Sequence, residues 1–128
     1  MSEVIVKDIM IKNVYTIESE DAIALARLKM LRYGVGALPV VKDDNTLVGI
    51  VTLRDISFAG TNIANLPVKD IMSKDNLITG TETTTLIEVT DIMMKTGKQR
   101  IPIVDDKGKL VGLMTQSVLI RSFRNLFK

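Results

Sequence analysis

The sequence predicts a mixed α+β fold, α/β-like in its alternation, built from two β-α-β-β-α repeats packed about a pseudo-twofold axis. Three observations carry this reading. The pentapeptide VKDIM stands at residues 6–10 and again at 68–72. The stretch GVGALPVVKDDNTLVGIVTL at 34–53 aligns without a gap on GKQRIPIVDDKGKLVGLMTQ at 97–116, with eight of twenty positions identical. Both copies then give the same order of helix-like and strand-like segments, and such internal periodicity decides a fold more firmly than local propensity does. The repeats run over 1–60 and 68–128, with 61–67 as the linker.

In the first copy a short turn at Lys7–Met10 leads to an extended NVYTI. Ser19 is placed to cap a helix, with Glu20 and Asp21 suited to its positive end. Ala22, Ala26, Met30 and Tyr33 recur at helical spacing, and Gly34 is placed to end the helix. ALPVV and LVGIV read as short buried strands joined by the turn-rich KDDNT. Thr52 opens a second helix. The second copy repeats this order with a strand NLIT, a helix over 83–96, Gly97, strands RIPIV and LVGLM, and a last helix from about residue 116. Three short strands and two helices leave one sheet face uncovered, and so small a unit holds too little core alone. Two units packed together would cover both faces and create two related clefts.

Composition narrows the function. The 128 residues are 46% hydrophobic, 25% charged and 4% aromatic, so Val, Ile, Leu and seven Met must build the core. Met is read as gap filler there. The net charge of +2 is spread over interspersed acids and bases, which disfavours a nucleic-acid partner. Without Cys or His, the chain excludes disulfides, thiol chemistry, the usual zinc, copper and haem ligand sets, and Ser–His or Cys–His catalysis. The opening MSEVIVKDIM carries charges too early for a secretory signal. The longest near-apolar run, LVGIVTL, falls far short of a membrane span of roughly 18 residues. A cytoplasmic protein with no membrane partner is expected.

The two VKDIM turns, the stretch GVGALPVVKDDNTLVGIVTLRDI and their second copies resemble tandem cystathionine β-synthase (CBS) domains, the pair termed a Bateman module. The resemblance spans essentially the whole chain. It implies a non-catalytic regulatory module that binds an adenosyl ligand such as AMP, ADP, ATP or S-adenosylmethionine between its halves, with no catalytic cofactor and no metal. It also implies pairing into a disc-like homodimer that signals to an unknown effector protein.

Carried onto this sequence, the resemblance places Thr52, Arg54 and Asp55 in a main cleft with Thr79 and the backbone of Lys98, Gln99 and Arg100. Asp55 would accept from the ribose hydroxyls, while Thr52 and Arg54 face phosphate. A second cleft would join Thr115 and Ser117 to Thr16 and the backbone of Val35, Gly36 and Ala37. There the sequence departs from the family pattern, because Val118 stands where an aspartate belongs. Losing two hydrogen bonds to a carboxylate, each worth about 1.5–3 kcal/mol, is expected to weaken that cleft by tenfold to several hundredfold. One good site and one poor or empty site are expected.

Each residue also has a plainer reading. Thr52 followed three positions later by Asp55 is close to a capping box, which needs no ligand, although cap and ligand contact are compatible. Arg54 and Arg100 could be solvated surface charges, and Thr16 and Thr79 lie at strand ends, where threonine is common. In the tail SVLIRSFRNLFK, a stripe of Leu119, Phe123 and Leu126 or Phe127 reads as a closing helix or, preferably, a dimer contact. Against a nucleotide sensor stand a structural dimerisation scaffold with vestigial clefts and, less favoured, a nucleic-acid binder. Ligand titration separates the first two, and a steep salt dependence of binding would mark the third. An enzyme is the least expected, since no nucleophile, metal ligand set or conjugate acid forms a motif.

Overall fold

The strand-loop-strand stretches shared by the two repeats become two β-hairpins, each the centre of its own compact unit. The computed structural model describes residues 3–127. One unit, here the first, is Tyr15–Leu77; the second joins the chain through Val14 to the chain from Ile78 on.

In the first unit β1 (Ile17–Glu18), α1 (Ile23–Tyr33), β2 (Ala37–Val41), β3 (Leu47–Thr52) and α2 (Leu53–Ala59) follow in order. The sheet order is β1-β2-β3, with β1 parallel to β2 and β3 antiparallel. Ile17 pairs with Val40, and Leu38, Pro39 and Val40 pair with Val51, Ile50 and Gly49. Every residue of β2 is buried, as a central strand demands. Ile17, Ile23, Ala26, Met30, Leu38, Val40, Val51 and Ile56 form the core, and Val68 joins them. Val68 belongs to the single-turn helix Val68–Asp70, which opens the second VKDIM. Its full burial contributes about 1.5–3 kcal/mol. Beyond that turn, Ser73 pairs antiparallel with Ile50 and extends the β3 edge.

The second unit repeats the pattern with the first VKDIM. Its elements are the turn Val6–Asp8, α3 (Leu86–Thr96), β4 (Arg100–Val104), β5 (Leu110–Thr115) and α4 (Gln116–Leu126). β4 and β5 are antiparallel, with Ile101, Pro102 and Ile103 opposite Met114, Leu113 and Gly112. Val6 and Met10 lie in a core with Leu86, Val89, Met93, Ile101, Ile103, Met114 and Val118. Ile11 pairs antiparallel with Leu113, as Ser73 does with Ile50. Each VKDIM turn thus packs against the hairpin of the other sequence repeat.

Several expectations need correction. Ser19 does not cap α1. Its N–H donates to the Val41 carbonyl and its own carbonyl accepts from Lys69, so its backbone serves the sheet edge and the Val68–Asp70 turn. The cap residue is Ala22, without a side-chain cap. Instead the carbonyls of Leu66 and Ala64 accept from Ile23 and Ala24 at 2.9 and 3.0 Å, satisfying donors that a helix start leaves free. NLIT is not a strand; the pairing there shrinks to Gly80, bridged parallel to Ile103. The helix expected over 83–96 starts at Leu86, because the side chain of Thr85 caps it. Tyr33 and Met94 are exposed rather than core. In the tail helix Val118 is buried and Leu119 and Phe123 lie against the core, whereas Leu126 and Phe127 are exposed.

Gly34 and Gly97 do end α1 and α3, each left-handed at φ 65° and 72°, the conformation that costs a side chain most. Among the described residues no helix is long and apolar enough to cross a membrane.

Candidate functional site

Thr52 and Asp55 hold each other at the β3–α2 junction. The Asp55 N–H donates to Thr52 Oγ1 at 3.0 Å, and the Thr52 N–H donates to Asp55 Oδ2 at 2.9 Å. This is a complete capping box, so the plainer reading of the pair is correct as far as it goes. It leaves capacity over, because an ionised carboxylate offers about four lone-pair positions and one N–H takes one of them. Both residues are half-buried, a placement that keeps the remaining capacity within reach of solvent.

The equivalent junction in the second unit keeps half of this arrangement. The Val118 N–H donates to Thr115 Oγ1 at 3.2 Å, but residue 118 carries no carboxylate to return a bond. The Val118 side chain turns into the core instead and is 5% exposed. The two junctions therefore differ in kind, a polar clasp in one and an apolar plug in the other.

The expected backbone contacts fall beside these junctions. Ala37 is paired in register with Thr52, and Arg100 with Thr115. The Gly36 carbonyl accepts from Leu53 at 2.9 Å, and the Gln99 carbonyl accepts from Gln116 at 3.0 Å. Each loop before a proline strand is thus tied to the helix start of its own unit, which fixes the positions of Val35, Gly36 and Ala37 and of Lys98, Gln99 and Arg100. Lys98 and Gln99 are exposed and Arg100 half-buried.

Thr16, Val35–Ala37, Thr52, Arg54 and Asp55 belong to the first unit, and Thr79, Lys98–Arg100, Thr115 and Ser117 to the second. The residues named for each expected cleft are thus divided between the two. Arg54 is exposed, and its guanidinium carbon lies 5.4 Å from the centre of the Phe58 ring, one helical turn on. A surface cation–π contact of this kind contributes about 0.5–1 kcal/mol, little enough to leave the side chain free to turn toward an anion. Thr79 is exposed beside Gly80, and Ser117 is exposed on α4. The Thr16 carbonyl accepts from Lys29 Nζ at 2.9 Å, which brings a cation to the end of β1.

Sequence reasoning missed the aromatic pair next to Thr16. Tyr15 and Tyr33 stack with centroids 4.0 Å apart and planes 9° from parallel. Each tyrosine adjoins an expected contact in sequence, Tyr15 before Thr16 and Tyr33 before the Gly34 that leads to Val35. Helical spacing drew Tyr33 toward the core stripe and hid that signal.

A sequence family described as CBS domain matches residues 6–61 and again 68–125. An inosine-5'-monophosphate dehydrogenase of Thermoplasma acidophilum is 40% identical over 114 residues, covering 88% of this chain and 22% of the dehydrogenase. One from Aquifex aeolicus is 36% identical over 112 residues, covering 88% of this chain and 23% of its own. The chain thus spans about a fifth of the length of the dehydrogenases it matches. Among solved structures, the CBS domain pair of protein MJ0100 in complex with 5-methylthioadenosine and S-adenosyl-L-methionine superposes with a TM-score of 0.85. It is 31% identical and covers 97% of this chain and 98% of that one. CBSX2 in complex with AMP superposes with a TM-score of 0.87 at 24% identity, covering 98% and 99%, a likeness of fold.

Proposed function

The chain belongs to the CBS domain family as a tandem pair, a Bateman module, and from that premise we propose that it is a non-catalytic regulatory module for an adenosyl ligand. The ligand class is AMP, ADP, ATP or S-adenosylmethionine, and the module acts in the cytoplasm as a pair of copies. Ligand binding stabilises one arrangement of the module over another, and an effector protein responds to that difference.

The observation that carries the reading is the spare carboxylate capacity of Asp55, set against the buried Val118 at the matching junction. Asp55 takes the ribose hydroxyls, Thr52 and Arg54 face phosphate, and Thr79 with Lys98, Gln99 and Arg100 completes the main cleft. Thr16, Val35, Gly36, Ala37, Thr115 and Ser117 make the second cleft, which binds weakly or not at all. The adenosyl ligands of the MJ0100 pair support the ligand class.

One observation favours a scaffold without ligands: the capping box accounts for Thr52 and Asp55 by itself. Calorimetric titration of the wild type and Asp55→Ala with AMP, ADP, ATP and S-adenosylmethionine separates the two. A sensor takes up close to one equivalent of at least one ligand per chain, and the variant loses that heat. No heat with any of the four, or two equal sites, sinks the proposal.

A further inference from the structure

We propose that Met72 is a reversible oxidation site, and that oxygen added to its sulfur loosens β3 and slackens the Thr52–Asp55 junction at the end of that strand. This adds a regulation to the ligand site and rests on the proposed function only in its last step.

Met72 closes the second VKDIM turn, and its sulfur is both held and within reach. It sits 2.7 Å from where a Cβ on Gly49 would be. The next residue, Ser73, exchanges backbone hydrogen bonds with Ile50 at 2.8 and 3.0 Å, which pins the sulfur against β3. Yet Met72 is only half-buried, and the four residues after it, 73–76, are exposed. Sulfoxide formation turns an apolar thioether into a larger polar group. Such a group is costly to keep in an apolar seat, so the side chain leaves the notch over Gly49 and the Ser73–Ile50 pair loses its anchor. Three residues beyond Gly49, the same strand ends in Thr52, the cap that holds Asp55.

The internal duplication supplies the contrast. Met10 holds the same place over Gly112, and Ile11 pairs with Leu113 as Ser73 does with Ile50. Met10, however, is 8% exposed. Met94 is the opposite case, 79% exposed and outside both core clusters. Met30, Met93 and Met114 are buried. Among the described methionines, Met72 alone combines access with a place in the packing. Oxidation is therefore one-sided. It reaches the unit that carries Asp55 and spares the one that carries Val118.

The oxidant is of the peroxide class. A sulfur lone pair attacks one peroxide oxygen, the S–O bond forms as the O–O bond breaks, and the second oxygen leaves with the protons as water. The sulfur gives up two electrons and the peroxide gains them. A sulfoxide reductase reverses the step, with two thiols becoming a disulfide and the oxygen departing as water. Those thiols come from outside, because the chain has no cysteine.

That absence also keeps the test free of competing thiols. Wild type, Met72→Leu and Met94→Leu are treated with hydrogen peroxide, and peptide mass spectrometry follows each sulfur. Met94 gains oxygen first, Met72 next, and Met10 stays reduced while the chain is folded. In oxidised wild type and Met94→Leu, amide exchange at Ile50, Ser73 and Asp55 quickens by about tenfold or more. Oxidised Met72→Leu keeps its protection, and methionine sulfoxide reductases of both stereospecificities with dithiothreitol restore the wild type. Oxidation of Met10 ahead of Met72, or unchanged exchange once Met72 carries oxygen, overturns the proposal. The wild-type arm needs no substitution, so a poorly folded Met72→Leu leaves the test intact. Titration with AMP, ADP, ATP and S-adenosylmethionine reads the last step, where oxidised wild type binds about tenfold more weakly than reduced. Equal affinity overturns that step. A reduced chain that takes none of the four sinks the ligand reading instead, while exchange still decides the role of Met72.

Discussion

Met10 lies against Gly112 so closely that an added Cβ there would fall on its side chain, 2.8 Å from Cγ. Met72 stands over Gly49 in the same way, with its sulfur 2.7 Å from where a Cβ would be. The methionine of each VKDIM turn is thus keyed into the glycine of the other repeat's LVG.

The two keys should respond differently to mutation. Gly112→Ala overpacks the second unit and costs about 1–3 kcal/mol. Its three closest obstacles all belong to the Met10 side chain, so Met10→Ala relieves part of the cost and the pair is less than additive. At Gly49 the Ser73 carbonyl oxygen lies 2.8 Å from the same position, and backbone does not yield as a side chain does. Met72→Ala should leave most of that cost in place. Urea unfolding of the two double-mutant cycles measures the difference.

Asp55→Ala removes a capping partner and should cost about 1 kcal/mol of stability together with nucleotide binding. Glu88→Ala is the control. Glu88 forms the same box with Thr85, at 3.0 and 3.1 Å, outside the expected clefts. Thermal unfolding should report similar losses for both, and calorimetry a binding loss for Asp55→Ala alone.

Val118→Asp exchanges packing for a cap. The variant gives up about 1.5–3 kcal/mol of apolar burial and regains about 1 from a new bond to the Thr115 N–H, a net loss of about 0.5–2 kcal/mol. On the proposed function, ligand stoichiometry rises from one toward two per chain. Calorimetry that finds one site before and after denies residue 118 that role.

Glu88 also predicts an acid response. The backbone and side-chain hydrogen bonds of Thr85 hold its carboxyl below the ordinary value of 4.5. A carboxylate lowered on folding stabilises the native state above its unfolded value, and that contribution fades as pH falls through the folded value. Wild type should therefore lose stability below about pH 4.5 more steeply than Glu88→Gln, as read by unfolding midpoints between pH 3 and 7.

The hairpins, the glycine helix ends and the Thr52 cap were legible in the sequence because each is made by residues close in the chain. The start of α1 was not, since the carbonyls that satisfy it come from Ala64 and Leu66, some forty residues away. NLIT has the composition of a strand, but only Gly80 finds a neighbour to pair with. Repetition shows that the VKDIM turns are alike and is silent on which hairpin each one covers. At the candidate site, the missing carboxylate of residue 118 was readable directly. The burial of Val118, the rest of Arg54 on Phe58 and the Tyr15–Tyr33 stack depend on side-chain packing that no motif encodes.

The crossed placement of the Val6–Asp8 turn has a consequence for the order of folding. Val6 and Met10 share their core with Met114 and Val118, roughly a hundred residues further along the chain. Tyr15–Leu77 is one continuous stretch that can settle on its own contacts, whereas the other core closes only when the segments flanking that stretch meet.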